Sequence, residues 1–298
     1  MTHADDTLYE DTACDVVVTR RAFADGELFP MHSHRRGQFA YAACGVITVA
    51  TASGTWAVPP LRAIWVPAEL AHAMHMRGPV TMLNAYICPQ SAQRVGLPEH
   101  CQVFAVSPLV RELLEKAIEV PAQYPAQGRD ACLMGLLLHE IAGMPGLSLN
   151  APMPEEPRLA RACRAFLAEP SLQTGIDGMA ERASMSRRTF TRQFRLHTGI
   201  SFNEWRQQAC LLAAVVRLGN GEPVTRVATA LGYSTPSAFA TVFKRFLGAA
   251  PSRYFADPAN GQCSTSLAPP SSLEPISNPK PCRSTIAATI DKPSPKPG

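Results

Sequence analysis

The chain has 298 residues, 46% of them hydrophobic, 17% charged and 7% aromatic, with a formal net charge of +4. That much apolar content supports packed cores and excludes global disorder, and the length suggests two domains. No stretch approaches the ~20 apolar residues of a spanning helix, and the first ten residues carry Asp5, Asp6 and Glu10 with no basic region, so neither a membrane protein nor a secretory leader is expected.

The charge is unevenly spread. Residues 1–154 hold 10 Lys/Arg against 14 Asp/Glu, whereas residues 155–256 hold 14 against 7, and 13 of those 14 are Arg. An acidic half joined to a basic half suggests that only one domain meets a polyanion, and the planar guanidinium suits phosphates and guanine edges. The nine cysteines are odd in number and form no C-x-x-C pair, which fits small buried hydrophobes in a reducing cytoplasm better than a zinc ribbon or disulfide scaffold.

In chain order, residues 16–89 read as β. Short apolar runs (Val16–Val18, Phe39–Tyr41, Val46–Val49, Trp56–Val58, Ile64–Val66, Met82–Ile87) alternate with turn residues such as Gly26, Gly45, Gly54 and Pro67, as in a barrel or sandwich. From about 107 the period becomes helical. Ser107 serves as a cap, Pro108 suits the first helical position, and Leu109, Leu113, Leu114, Ala117 and Ile118 form a stripe. A second helix spans about 129–143, with Leu133, Leu136, Leu137 and Ile141 on its apolar side. Prolines and glycine mark 145–157 as a linker. Residues 158–256 are helical throughout. The tail 257–298 holds nine Pro and seven Ser and is expected to be disordered.

The helical block contains two helix-turn-helix units. In the first, Met179, Ala180 and Ala183 form an inner face, Ser184-Met185-Ser186 makes the turn, and Ser186 caps the next helix. There Phe190 and Phe194 face inward at i,i+4 while Arg188, Thr191, Arg192 and Arg195 point outward. In the second, Val227, Ala228 and Leu231 face inward, Gly232 ends the first helix, Thr235 caps and Pro236 opens the next. Phe239, Phe243 and Phe246 belong to the core, and Ser237, Ala240, Thr241, Lys244 and Arg245 face outward. The apolar stretch 202–218 fits a central helix packed on both units.

These residues, together with Thr198-Gly199-Ile200-Ser201, Leu247-Gly248 and Pro251, give 158–255 a pattern that resembles the DNA-binding domain of AraC/XylS-type transcription regulators. The resemblance implies two reading helices entering successive major grooves, about 34 Å apart, on one face of DNA. By motif position Arg188, Thr191 and Arg192 would read bases from the first unit, and Ser237, Ala240 and Thr241 from the second, while Arg195, Lys244 and Arg245 would meet phosphates. The chain departs from the family pattern at Cys210, Leu212 and Ala213, which make its central helix unusually apolar.

In the β half, Gly26-x5-His32-x-His34-x3-Gln38-x6-Gly45 resembles the first cupin signature, with Gln38 where Glu is usual, and Pro67-x4-His72 resembles part of the second. The resemblance implies a small β-barrel in which His32, His34, Gln38 and His72 converge. On a strand, i and i+2 share a face, so His32 and His34 are both expected to point inward. Three imidazoles and an amide oxygen suit a divalent transition metal, and the same groups would also line an effector pocket without one. His75 alternates away from this set, and Trp56, Trp65 and Tyr41 are candidates for either the pocket or the barrel core.

The expected fold is therefore α+β in two domains: a cupin-like effector or metal sensor (1–100) with a trailing helical region for dimerisation or signal transfer (101–144), then the linker, an all-α double helix-turn-helix domain (158–256) and the tail. The expected function is that of a cytoplasmic, ligand-responsive regulator that binds double-stranded promoter DNA as a homodimer, with RNA polymerase a further partner if it is an activator and no membrane partner. The order of sensor, linker and reader is similar to a compact-cupin subgroup of the family, which implies control of a neighbouring transporter or catabolic gene. The alternative is a metal-dependent cupin enzyme, such as a dioxygenase or isomerase, or a metal sensor, with an appended DNA-binding domain.

Overall fold

The computed structural model describes residues 7–10, 12–147 and 149–256. The expected disordered tail, 257–298, lies outside the described residues. In chain order the elements are α1 (Thr7–Glu10), β1 (Val16–Phe23), β2 (Leu28–His32), β3 (Gly37–Thr51), β4 (Gly54–Val58), β5 (Arg62–Val66), β6 (His72–Ile87), α2 (Pro89–Val95), β7 (Gln102–Ala105), α3 (Pro108–Ala117), α4 (Arg129–Ala142), β8 (Gly146–Leu147) and β9 (Asn150–Pro152). The helical block follows as α5 (Pro157–Ala168), α6 (Ile176–Arg182), α7 (Arg187–Thr198), α8 (Phe202–Gly219), α9 (Val224–Ala230), α10 (Pro236–Leu247) and α11 (Pro251–Ala256).

The nine strands form one antiparallel sheet built on two long strands, β3 and β6, which pair along most of their length. The C-terminal half of β6 also pairs with β1 and its N-terminal end with β2; the N-terminal half of β3 pairs with β5 and its C-terminal half with β4. Irregularities around Cys44 break the β3–β6 register. Gly45 sits there at φ +72°, and a Cβ on it would lie 2.4 Å from the Pro79 carbonyl, so the position admits only glycine.

One face of the sheet carries Val16, Val18, Phe39, Tyr41, Trp65 and Leu83 and is covered by Val110, Leu114, Leu137 and Ile141 from α3 and α4. Tyr41 and Trp65 are thus core residues, and the indole Nε1 of Trp65 donates to Pro98 O at 2.7 Å. The inward stripe of α3 is Val110, Leu114 and Ala117 rather than one that includes Leu109, which stays 49% exposed. Ser107 caps α3 as expected.

Two boundaries differ from the sequence expectation. Strand β7, inside the region expected to be helical, pairs with β5. The expected linker 145–157 carries β8 and β9, which pair with β7 and β4, so it is sheet edge as well as connection. Burial of Leu149 and Ala151 outweighs the prolines there: Pro152 sits at the end of an edge strand, where its missing N–H costs no ladder bond.

The second core continues from the other face of the sheet into the helical block, joining Val46, Ile47, Trp56 and Ala151 to Leu211, Val215, Phe166 and Phe243. Trp205 on α8 is fully buried, stacks among Phe166, Phe194 and Phe202, and donates its indole N–H to Pro152 O at 2.7 Å. The apolar character of α8 follows from this: one helix faces both the two helix-turn-helix units and the sheet.

Candidate functional site

The two helix-turn-helix units repeat each other in detail. Helices α7 and α10 each have twelve residues. Ser186 caps α7 by accepting from Thr189 N, and Thr235 caps α10 by accepting from Ala238 N. Gly199 and Gly248 close them in the left-handed conformation. Each turn contains one left-handed residue, Ser184 at φ +53° and Gly232 at φ +81°. Phe190 and Phe194 of α7, and Phe239 and Phe243 of α10, are buried as the spacing requires.

On the outer side of α7, Arg188, Thr191, Arg192 and Arg195 are all exposed, and they share one shallow groove with Arg187, Gln193 and Leu196. Leu196 is 74% exposed, an apolar residue among cations that the sequence pattern does not single out. On α10, Ser237, Thr241, Lys244 and Arg245 are exposed and Ala240 is partly exposed. Thr191 and Thr241 each donate the hydroxyl to the carbonyl four residues back, Arg187 O at 2.8 Å and Ser237 O at 3.0 Å, and by alignment of the caps Thr191 stands at the position of Ala240 and Thr241 at that of Arg192. Arg245 is turned toward α8: its Nη2 donates to Gln207 Oε1 at 3.2 Å and its guanidinium lies over the Phe246 ring.

The three sensor histidines meet. A nitrogen from each of His32, His34 and His72 lies within 4.8 Å of the others. The route differs from the expected shared strand face. His32 ends β2 and His72 begins β6, whereas His34 lies beyond β2 in the turn before β3. Each ring is fixed by the same device. The Nδ1–H donates to a backbone carbonyl (Pro30 for His32, Arg36 for His34, Leu70 for His72), which leaves each Nε2 with a bare lone pair. His72 is fully buried and its Nε2 has no partner. Burial pushes the His72 imidazole down to about 4 and lowers His34 as well, so both are neutral ligands at neutral pH.

Gln38 completes the cluster. Its Oε1 lies 3.3 Å from His34 Nε2 and its Nε2 donates to Asn84 Oδ1 at 2.9 Å. With Nδ1 protonated, His34 presents a lone pair to the Gln38 oxygen. A cation between the two atoms turns that contact favourable. The buried, unpartnered His72 nitrogen and the donor set of three imidazole nitrogens and one amide oxygen therefore fit a divalent transition metal.

Beside the histidines is a cavity of about 150 Å³. Phe23, Phe29, Met74, Met82 and Tyr86 form its apolar walls, and Gln38, Asn84 and Arg21 supply polar groups. Trp56, a pocket candidate from sequence, instead sits in the core shared with the helical block, and His75 is on the opposite side of β6 from His72 and Met74. Sequence reasoning missed Asn84. Its signal was one polar residue inside an apolar run, on the same alternation as Met82 and Tyr86. It also missed Arg36, which is buried and donates to the carbonyls of Thr12 and Cys14, tying the N-terminal segment to the sensor.

Comparison with known proteins agrees with both halves. The family model of the AraC-like ligand binding domain matches residues 16–142, and that of a helix-turn-helix domain matches residues 179–257. The HTH-type transcriptional regulator NimR of Escherichia coli is 33% identical over 228 residues, 76% of this chain and 82% of its own. The HTH-type transcriptional regulator RipA of Corynebacterium glutamicum is 37% identical over 106 residues, 35% of this chain and 31% of its own. Among solved structures, ToxT from Vibrio cholerae aligns over 80% of this chain and 96% of its own, at 10% identity and a TM-score of 0.34.

Proposed function

This chain belongs to the AraC family of helix-turn-helix transcription regulators, and from that premise we propose that α7 and α10 read adjacent major grooves of one promoter under control of the sensor cavity. The observation that carries this reading is the duplication: two equally long, equally capped helices, each with a phenylalanine pair inside and polar residues outside, both joined to α8 in one core. Arg188 and Arg192 supply forks for guanine edges, and Thr191, Ser237, Ala240 and Thr241 small contacts. Arg195 and Lys244 meet phosphates. Arg245, held on Gln207, braces α10 from its side and meets phosphate only by releasing that bond. Selection of bound fragments from random duplexes with the full chain tests the reading. Enrichment of a bipartite site supports it, and recovery of unenriched sequence overturns it.

The sensor trio supports a second element. His32, His34, His72 and Gln38 would hold a divalent transition metal, which when bound supplies positive charge and open coordination positions facing the cavity. The protein's own groups do the rest: three backbone carbonyls orient the rings, and Gln38 links the cluster to Asn84. We read this as a sensing site rather than a catalytic one, because the chain's family regulates transcription. The partners that follow are promoter DNA and a small effector, with RNA polymerase added for an activator. A second copy would pair through α3 and α4, where Leu109 and Leu136 lie 49% and 47% exposed. No helix among the described residues is long and apolar enough to cross a membrane, and promoter binding would place the chain in the cytoplasm.

A further inference from the structure

Asn84 is fully buried, lines the sensor cavity, and its amide Nδ2 has no hydrogen-bond partner. An orphaned buried N–H destabilises the fold unless something accepts from it. Its neighbourhood explains how the group is displayed. On β1, Thr19 stands directly opposite Asn84, and its own hydroxyl is buried without a partner. On β3, Ala40 stands opposite Asn84 and Ala42 opposite Met82. Both small residues are fully buried in the core on the sheet face that carries Gln38 and Asn84.

The amide orientation is set from the histidine side. Gln38 turns its oxygen toward His34, so its nitrogen must donate to Asn84 Oδ1, and this leaves Asn84 only its N–H groups to offer. A metal ion facing the Gln38 oxygen selects this orientation over the flipped one, since a cation attracts the carbonyl and repels the N–H. The relay His34, Gln38, Asn84 thus converts the state of the histidine cluster into a donor pointed at a ligand.

We propose that Asn84 is the effector-recognition residue of this chain, and that it accepts a small carboxylate with a compact apolar body, one carboxylate oxygen taking the Asn84 N–H. The charge balance favours an anion: buried Arg36 lines the cavity with only neutral carbonyl oxygens on its guanidinium, and the acid of the lining, Glu10, is engaged by the backbone N–H and Nε of Arg35. The size follows from the volume. A cavity of about 150 Å³ accepts a body the size of benzene, and aromatic and methionine walls suit a flat ring. This inference rests on the sensor reading above and adds the residue and the ligand class.

The test uses the full chain with its bound metal counted, titrated calorimetrically with benzoate and with benzamide, its uncharged counterpart, alongside Asn84→Ala and Asn84→Ser. The expected result is benzoate binding that exceeds benzamide binding, falls about ten- to a hundredfold in Asn84→Ala, and recovers in part in Asn84→Ser, with the metal content and folded fraction of each variant measured so that affinity is compared between folded, metal-matched samples. Equal benzoate affinity in wild type and Asn84→Ala, or no binding of either probe by metal-loaded wild type, overturns the proposal. The two readings separate cleanly. Asn84-dependent benzoate binding by a protein that holds no metal keeps this inference and removes the metal. Metal at full occupancy with no Asn84 dependence does the reverse.

Discussion

Arg62, on the sensor strand β5, donates through Nη2 to the carbonyl of Leu247 at 3.0 Å, the last residue of the second reading helix. The same guanidinium lies over the ring of Tyr254, whose hydroxyl donates to Pro60 O at 2.7 Å. The sensor thus holds the C-terminal end of α10 directly, with a cation at the negative end of its helix dipole. An effector acts on a reader only through a free-energy difference between two arrangements, and this contact is a place where such a difference is expressed. Arg62→Ala is expected to weaken protection of the half-site read by α10 and leave the α7 half-site in place. A footprint that changes equally over both halves would assign Arg62 a general role in stability.

The outward row of α7 gives a prediction about specificity. Arg192→Ala should cost about 1–3 kcal/mol on the selected site and far less on random duplex, as expected for a bidentate base contact. Lys244→Ala should weaken both alike and reduce the slope of log K against log salt by about 0.9, the signature of one phosphate contact. Arg245→Ala should change that slope less than Lys244→Ala, because Gln207 already engages its guanidinium. Titration at several salt concentrations separates the three.

The paired turns predict an asymmetry. Gly232 holds φ +81° with a hypothetical Cβ 3.1 Å from Ser171 Oγ and Gln173 Cγ, whereas Ser184 holds the equivalent left-handed position with a side chain already present. Gly232→Ala should therefore destabilise the protein by about 1–2 kcal/mol. Urea unfolding reads the change, and an unaltered midpoint would show that the turn relaxes without cost.

Stability of the metal-free chain should fall in acid through His72. Its folded pKa of about 4 lies below the ordinary value of about 6.5, so between these the unfolded chain binds the extra proton. Stability is full above pH 6.5, falls as pH drops, and the loss is complete below 4. The shift corresponds to up to about 3 kcal/mol for His72, with His34 adding in the same direction. His72→Gln should flatten this part of the pH profile. Zinc should raise the midpoint at neutral pH and lose effect in acid, since proton and metal compete for Nε2. A zinc response that is flat with pH would place the metal elsewhere.

The helical half was legible because its signals are local. Caps Ser107, Ser186 and Thr235, the proline after Thr235, and the phenylalanine spacings depend only on neighbours within a turn, and the structure uses each as read except at Phe246, which is partly buried under the Arg245 guanidinium. The sheet was less legible because its decisions are made across strands. Strands β8 and β9 are short, proline-bearing segments that exist because β7 and β4 offer them edges. His34 reaches His72 through a turn fixed by the Arg36 carbonyl, a contact no period of two encodes. Asn84 becomes informative only when Thr19 and Ala40 are known to flank it.

Hydroxyl-radical footprinting of the full chain on a fragment chosen by selection shows whether two helices read one face of DNA. Two protected patches are expected on the same face of the duplex, about one helical turn or 10 base pairs apart, with Arg192→Ala erasing one patch and Thr241→Ala weakening the other. A single patch, or two that both depend on Arg192 alone, would contradict it.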